Sequence, residues 1–325
     1  MDILIEKEFF EVFMEDYFNL SRPIELELFF MTYAGLKVHT DMEDSYIFSN
    51  PILKMLRTHN KSLHTKIDFV SKNNGDKFKN LIIAFCGSQR ENWVDKFEED
   101  GGLYFDSSSY KESLSQILEN HDTIYLNKVD SFKWSDILPF KNLPNTKTLI
   151  ADNYILSDNK QMKNNAFPII DQLSQSENKI SIVTCTPSNL AYSDTSIGFK
   201  NAQNKLLPKV YQEIKSIQSQ VDEYISALDI NANVQVIPFF KGILKTLHNF
   251  DLHDRRLITK YAVITVGKGF DLLPLKTAKE NDYKITIRTF FDKEAYDDLR
   301  NFRPLYTKYV IWYKEHHNQE TFSPF

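Results

Sequence analysis

Only two cysteines occur among the 325 residues, Cys86 and Cys185, far apart and each at the end of an apolar, strand-like run. That spacing excludes a disulfide scaffold and a cysteine-based zinc site, and buried free thiols are common in such places. An excess of one charge is also lacking. With 39 Lys and Arg against 44 Asp and Glu, the net charge is −5. General affinity for duplex nucleic acid or an anionic membrane needs many basic contacts at once, so any phosphate site must be local. No apolar run approaches the ~18–20 residues of a membrane span, because Lys, Asp, Glu or Asn interrupts each one. Met1 to Phe18 alternates acids and aromatics and has no signal-peptide pattern, so the expectation is a cytoplasmic protein without a transmembrane segment. Internal repeats and low-complexity tracts are absent as well.

What is present is enough apolar material for real cores: 42% hydrophobic and 14% aromatic residues. A chain of this length exceeds the ~250–300 residues at which single cores stop growing, which predicts two domains. From Glu6 to Tyr33 apolar residues recur at helical spacing (Phe9, Phe10, Phe13, Tyr17, then Leu26, Phe29 and Phe30 after Pro23). Asn80 to Phe85, Thr123 to Leu126 and Thr148 to Ala151 read as buried strands of one sheet, with a helix at Tyr110 to Leu118. The Pro-, Asn- and Lys-rich segment Pro139 to Lys147 serves as the linker. The division is thus 1–143, an N-terminal α/β domain of unknown role, and 144–325. In the second part we read a helix near Ala166 to Ser174 and a strand at Lys179 to Cys185. A long amphipathic helix through Leu206, Val210, Ile214, Ile217, Val221 and Leu228 follows. Strands at Asn233 to Phe239, Leu257 to Val266 and Tyr283 to Thr289 and a helical C-terminus complete it. The expected fold class is α/β, with a mixed sheet flanked by helices.

The chemistry concentrates in LHDRRLITKYAVITVGKGFDLL, Leu252 to Leu273. Side chains alternate along a strand, so His253 and Arg255 point to one face and Asp254 and Arg256 to the other. Arg offers a planar fork that matches phosphate oxygens, and His serves as nucleophile or general acid near neutral pH. Gly267 and Gly269 let the backbone approach a ligand, with exposed amides, and Lys268 adds a positive contact. The alternative is bland: an Asp-Arg-Arg cluster beside a His makes a surface ion-pair network, and Gly-Lys-Gly makes a tight turn.

The order HxR, apolar strand, Gly turn resembles the signature strand of phospholipase D-like proteins. HDRR…GKGFD is similar to the HDR…GxGxD pattern of the phospholipase D-like domain found at the C-terminus of MIT-domain proteins, over about residues 147–325. The resemblance implies His253 as the nucleophile position and Arg255 as the phosphate clamp, the two catalytic residues if the protein is an enzyme. Lys260 stands where catalytic members carry a carboxylate, and only one such motif is present. The resemblance therefore implies a non-catalytic binder of a phosphate-bearing ligand: a nucleic acid end, a nucleotide or a lipid head group. Two alternatives stand beside it. One is a phosphodiesterase or nuclease completed by homodimerisation; the other is an interaction subunit of a bacterial defence system, held to a protein partner.

Further candidates sit where strands end, because ligands collect there. Asp152 and Asn153 follow one strand, Thr184, Thr186 and Ser188 another, and Lys241 a third; Arg255, Arg256, Lys268, Gly267, Gly269, Asp152 and Thr186 make up the expected phosphate-binding set. Ordinary turn chemistry explains Asp-Asn and Thr-Pro-Ser equally well. Arg90, after the Cys86-Gly87-Ser88 turn, could hold an anion at a helix start. Basic and aromatic residues interleave from Arg300 to Lys314, a pattern that stacks on bases or packs a core helix, the second being commoner. His39, His59 and His64 lack the spacing of metal ligands. Neither a metal nor a cofactor is expected.

Overall fold

The computed structural model describes residues 2–21, 23–32, 37–54, 68–71, 81–99, 102–119, 123–125, 133–136, 147–173, 178–188, 199–239, 255–259, 262–267, 269–270, 272–273, 284–289 and 291–317. The protein is mixed α/β and contains two sheets. Its contacts divide it into two units. The first holds Met1–His121 with Asn142–Pro144 and Thr289–Tyr296; the second holds Asp122–Lys141, Asn145–Arg288 and Asp297–Phe325.

The first unit is built on a five-stranded parallel sheet: β1 (Asp2–Ile5), β2 (Lys37–Thr40), β3 (Asp68–Ser71), β4 (Leu81–Cys86) and β5 (Leu103–Asp106). Its spatial order is β3-β2-β1-β4-β5, the order of a doubly wound half with its switch point between β1 and β4. Parallel strands need crossovers; α1 (Lys7–Phe18) and α2 (Ile24–Thr32) lie between β1 and β2, α3 (Asp44–Ser49) between β2 and β3 and α4 (Trp93–Glu99) between β4 and β5, and α5 (Tyr110–Glu119) follows β5. The helical spacing expected on both sides of Pro23 forms two helices: α1 ends at Phe18, with Leu20 turning the chain at φ 56°, and α2 starts directly after Pro23, where a missing amide interrupts no ladder. The core is aromatic. Phe85 is fully buried and packs against Phe9, Phe29, Phe30 and, stacked at 5.0 Å, Phe105. All six residues of β4 are buried, as a central strand covered on both faces requires.

The second unit carries a seven-stranded sheet in the order β6-β12-β11-β10-β7-β8-β9. Its strands are β6 (Thr123–Tyr125), β7 (Lys147–Ala151), β8 (Asn178–Thr184), β9 (Ala232–Pro238), β10 (Arg255–Ile258), β11 (Ala262–Val266) and β12 (Lys284–Thr289). Strands β7, β8 and β9 run parallel, whereas β10 is antiparallel to both β7 and β11. One expectation is corrected here. The apolar runs at β4, β6 and β7 do not share a sheet, since β6 pairs antiparallel with β12 and so joins the second unit. A run of apolar residues fixes a strand without naming its neighbour.

Helix α6 (Phe167–Leu173) follows a short turn, Asn159–Gln161, and a π-helical turn, Met162–Ala166. The long amphipathic segment forms α7 (Phe199–Ala227), burying Val210, Ile214, Ile217 and Val221 at spacings of four, three and four. Burial of each stabilises by roughly 1.5–3 kcal/mol. Gln218 on this helix closes the free edge of β9: its amide donates to the Val234 carbonyl at 2.9 Å and accepts from the Val236 amide at 2.8 Å. That covers an edge which could otherwise pair with another strand. The last helix, α8 (Lys293–His317), buries Tyr306, Tyr309, Val310 and Tyr313. Its aromatic face is therefore core, and burial pushes the Tyr313 phenol up to about 12. Among the described residues no helix is long and apolar enough to cross a membrane.

Candidate functional site

The segment from Leu257 to Val266, one strand by sequence reading, is a hairpin. Strands β10 and β11 pair antiparallel with Arg255 opposite Val266 and Leu257 opposite Ile264. Thr259 makes the turn: its amide donates to the Ala262 carbonyl and its hydroxyl accepts from the Ala262 amide, both at 2.9 Å. The difference decides the site. A continuous strand of ten residues would hold the HDRR segment roughly 33 Å from the Gly-Lys-Gly turn at 3.3 Å per residue. The hairpin folds them back to one edge, so that Arg255 lies directly across from the residue preceding Gly267.

That edge carries a row of buried polar groups. Ala151 is registered with Val183 on one side and Arg256 on the other; one step further, Thr184, Asp152 and Arg255 line up on three adjacent strands, on the same face. Asp152 is fully buried, and its carboxylate organises the edge. One oxygen accepts the Tyr154 and Ile155 amides at 2.6 and 2.9 Å, closing the turn after β7. The other accepts the Phe270 amide at 2.8 Å and lies 3.9 Å from Arg255 Nε. Asp152 thus ties the loop after β11 to the end of β7; its oxygens already serve three amides.

Arg255 has a side chain only 14% exposed. Its guanidinium lies over the Tyr154 ring at 5.3 Å, and Nε is buried without a hydrogen-bond partner. The 3.9 Å approach to Asp152 is an ion contact too long for a hydrogen bond. The neighbouring Thr184 hydroxyl is likewise buried without a hydrogen-bond partner. Stacking on Tyr154 occupies a face of the guanidinium, whereas an oxyanion is bound in its plane.

Arg256 points the other way, as strand alternation requires. It is 6% exposed, sits 3.6 Å over the Phe302 ring and lies 3.9 Å from an oxygen of Asp298, both on α8. It fastens the sheet to that helix and does not share a ligand with Arg255. The turn glycines also differ from expectation. Their amides are engaged, Gly267 with the Lys284 carbonyl and Gly269 with that of Val266, so they offer close approach and not free donors. At Gly269 φ is 114°, a conformation that excludes side chains. His253, Lys268, Lys241, Asp254 and Lys260 lie outside the described residues.

Thr186 and Ser188, beyond β8, belong to a second cluster on the same edge. The Ser188 hydroxyl and amide donate to Glu213 of α7 at 2.5 and 3.1 Å, and the Thr186 hydroxyl joins them. Burial pushes the Glu213 carboxyl up, but the hydrogen bonds from Ser188 and Thr186 together with the Lys209 charge outweigh it and hold the group below its ordinary range. Asn153, also buried, accepts a contact from Cys185 Sγ at 3.2 Å and joins the ends of β7 and β8.

Two residues escaped sequence reading. Asn165, fully buried in the π-helical turn, accepts the Leu273 amide at 2.9 Å and donates to its carbonyl at 3.1 Å, while Trp134 Nε1 donates to it at 3.2 Å. It holds the loop after β11 as a short ladder would. A π-turn inserts a residue and often marks a functional site, but nothing in MKNNA announces one. Glu213 reads as an ordinary charge on the solvent side of a helix.

The N-terminal candidates do not form an anion site. Arg90 is bound by Asp95 at 2.7 Å and by Glu98, which makes it a local ion cluster. His39 Nε2 lies 3.3 Å from Asp2. Among the described residues no group of three His, Cys, Asp or Glu could hold a metal ion. No protein-family model matches the chain, and no curated protein matches it.

Proposed function

We propose that the second unit binds a phosphate or phosphodiester group at the edge formed by the ends of β7 and β8, the start of β10 and the turn after β11. Arg255 is the principal contact, and the expected roles of His253 and Lys268 complete the set. One observation carries the reading: a largely buried guanidinium whose Nε has no hydrogen-bond partner. Leaving such a donor unsatisfied costs about 1–3 kcal/mol, a cost that an oxyanion in the guanidinium plane would remove. The Thr184 hydroxyl, two strands across the same edge, offers a second donor. The likeness of HDRR…GKGFD to phospholipase D-like domains is the other support. Lys260 in place of the family's carboxylate favours binding over hydrolysis.

The test is direct titration of the intact protein with inorganic phosphate, a 5′-phosphorylated dinucleotide and a short-chain phosphatidylinositol phosphate. Arg255→Ala is expected to weaken binding of whichever ligand is recognised at least tenfold, in line with the ~1.5–3 kcal/mol of a hydrogen bond to a charged group. Tighter binding of the dinucleotide than of the lipid, or the reverse, identifies the source of the phosphate. Binding of all three that Arg255→Ala leaves untouched refutes the assignment.

A further inference from the structure

The cluster around Glu213 has the donor set of an anion seat: one amide and two hydroxyls converge on a single carboxylate that the chain itself supplies. That seat follows β8, which is the parallel neighbour of β7, and β10 with Arg255 lies on the far side of β7. At ~4.8 Å between adjacent strands, two steps across the sheet amount to about 10 Å. Thr184, whose buried hydroxyl has no hydrogen-bond partner, ends β8 itself, and buried Asn153 follows β7 between the two. Beyond that spacing the Glu213 charge is still felt by an anion at Arg255 at low salt, where the Debye length reaches ~30 Å at 0.01 M.

We propose that Glu213 is a built-in competitor of the phosphate ligand, occupying the Thr186 and Ser188 donors at the same sheet edge and setting the affinity of the site by its charge. This rests on the phosphate-binding reading of Arg255. Glu213 reaches the edge from α7, a different element from the strands that carry the site. Displacing it frees three donors at once, so a ligand with a second phosphate oxygen to place gains more from this edge than a simple monoanion does. While Glu213 holds the seat its charge weighs most against ligands of high charge density, and a carboxylate that displaced it would only exchange one carboxylate for another.

The experiment measures the affinity of inorganic phosphate and of dimethyl phosphate for wild type, Glu213→Gln, Glu213→Ala, Glu213→Asp and Arg255→Ala, at low and high salt. Both neutral variants are expected to bind inorganic phosphate about three- to tenfold more tightly at low salt, with the gain shrinking as salt screens the charge. Glu213→Asp, which keeps the charge, stays close to wild type, and dimethyl phosphate, with its single charge, gains less than inorganic phosphate. A purely structural role for Glu213 would give neutral variants whose affinity is unchanged or weaker at every salt concentration, and that result overturns the proposal while leaving the Arg255 assignment in place. Absence of any Arg255-dependent binding in the wild type overturns both. Glu213→Ala gives a second neutral variant should Glu213→Gln lose its fold.

Discussion

Both units end a central strand in the same way, yet among the described residues the cation near that end is held by two carboxylates in the first, Arg90, and has an Nε without a hydrogen-bond partner in the second, Arg255. In the first, β4 runs into Cys86-Gly87-Ser88, and the Ser88 amide and hydroxyl donate to Glu8 at 2.7 and 2.8 Å, while the Gly87 amide donates to Glu6 at 2.9 Å. In the second, β8 runs into Cys185-Thr186-Pro187-Ser188, and Ser188 donates to Glu213 by the same two groups. Each strand end therefore makes a small anion seat and fills it with a glutamate from a helix. The rest of the edge differs. Around β1 and β4 the carboxylates already accept amides, Asp41 that of Lys7 at 2.7 Å and Asp106 those of Ser108 and Ser109, and the cation that follows the Ser88 turn, Arg90, is held by Asp95 and Glu98. At the switch point of a doubly wound sheet, where a phosphate would rest, the first unit presents carboxylates and a strand that enters its helix without a glycine loop. The second unit places Arg255 there. A shared local motif thus says little about ligand; the charge next to it decides.

Substitutions can break this comparison from either side. The largest effect is expected at Asp152. Asp152→Asn keeps an acceptor for Tyr154 and Ile155 but turns a donor toward the Phe270 amide and removes the charge facing Arg255, a loss of about 2–4 kcal/mol. Chemical denaturation followed by a probe in the second unit measures it, and a loss within a few tenths of wild type would show that the edge is not organised by this carboxylate. Next comes Gly87→Ala. A Cβ there would run into the Glu8 carboxylate, so Glu8 must leave Ser88, and a small part of the first unit's stability should go with it, read by the same denaturation curve. No change would mean that the seat in the first unit tolerates vacancy.

The smallest effect concerns pH. Glu8 and Glu213 both have carboxyls held below the ordinary 4.5, Glu8 chiefly by the Ser88 amide and hydroxyl, Glu213 by hydrogen bonds that outweigh burial. A depressed folded-state value means the stabilisation is complete above pH 4.5 and is lost as pH falls through the lower, folded value. Melting temperature measured from pH 6 down to 3 should therefore fall for wild type and fall less steeply for Glu213→Gln and for Glu8→Gln. An identical slope in either variant would remove that seat from the account.

Much of the secondary structure was legible. The apolar runs at β4 and β7 are buried strands, β8 and β9 stay strand-like with only Ser181 and Gln235 inside their apolar runs, and α7 announces itself by spacings of three and four. The opposite orientation of Arg255 and Arg256 also follows from alternation alone, and the structure places them so. What could not be read was partnership. Thr123 to Tyr125 looks the same whichever sheet it joins. Thr259 to Ala262 reverses the chain in the middle of an apolar stretch, through side-chain and main-chain bonds that no periodicity records. Nothing in MKNNA marks Asn165 as buried, and Glu213 falls off the apolar face of α7, where its sequence reads as solvated.

By itself the sequence determined a mixed α/β protein without an excess of basic charge, and it singled out HDRR with Gly-Lys-Gly only as candidates. These follow from composition and from short-range spacing, which act along the chain. The tertiary structure alone decided that the hairpin returns the glycine turn to Arg255, that Arg256 is clamped by Phe302 and Asp298, and that Glu213 faces Ser188. Each of these depends on contacts between residues distant in sequence, whose energies arise from burial and hydrogen bonding across elements and leave no periodic trace in the chain.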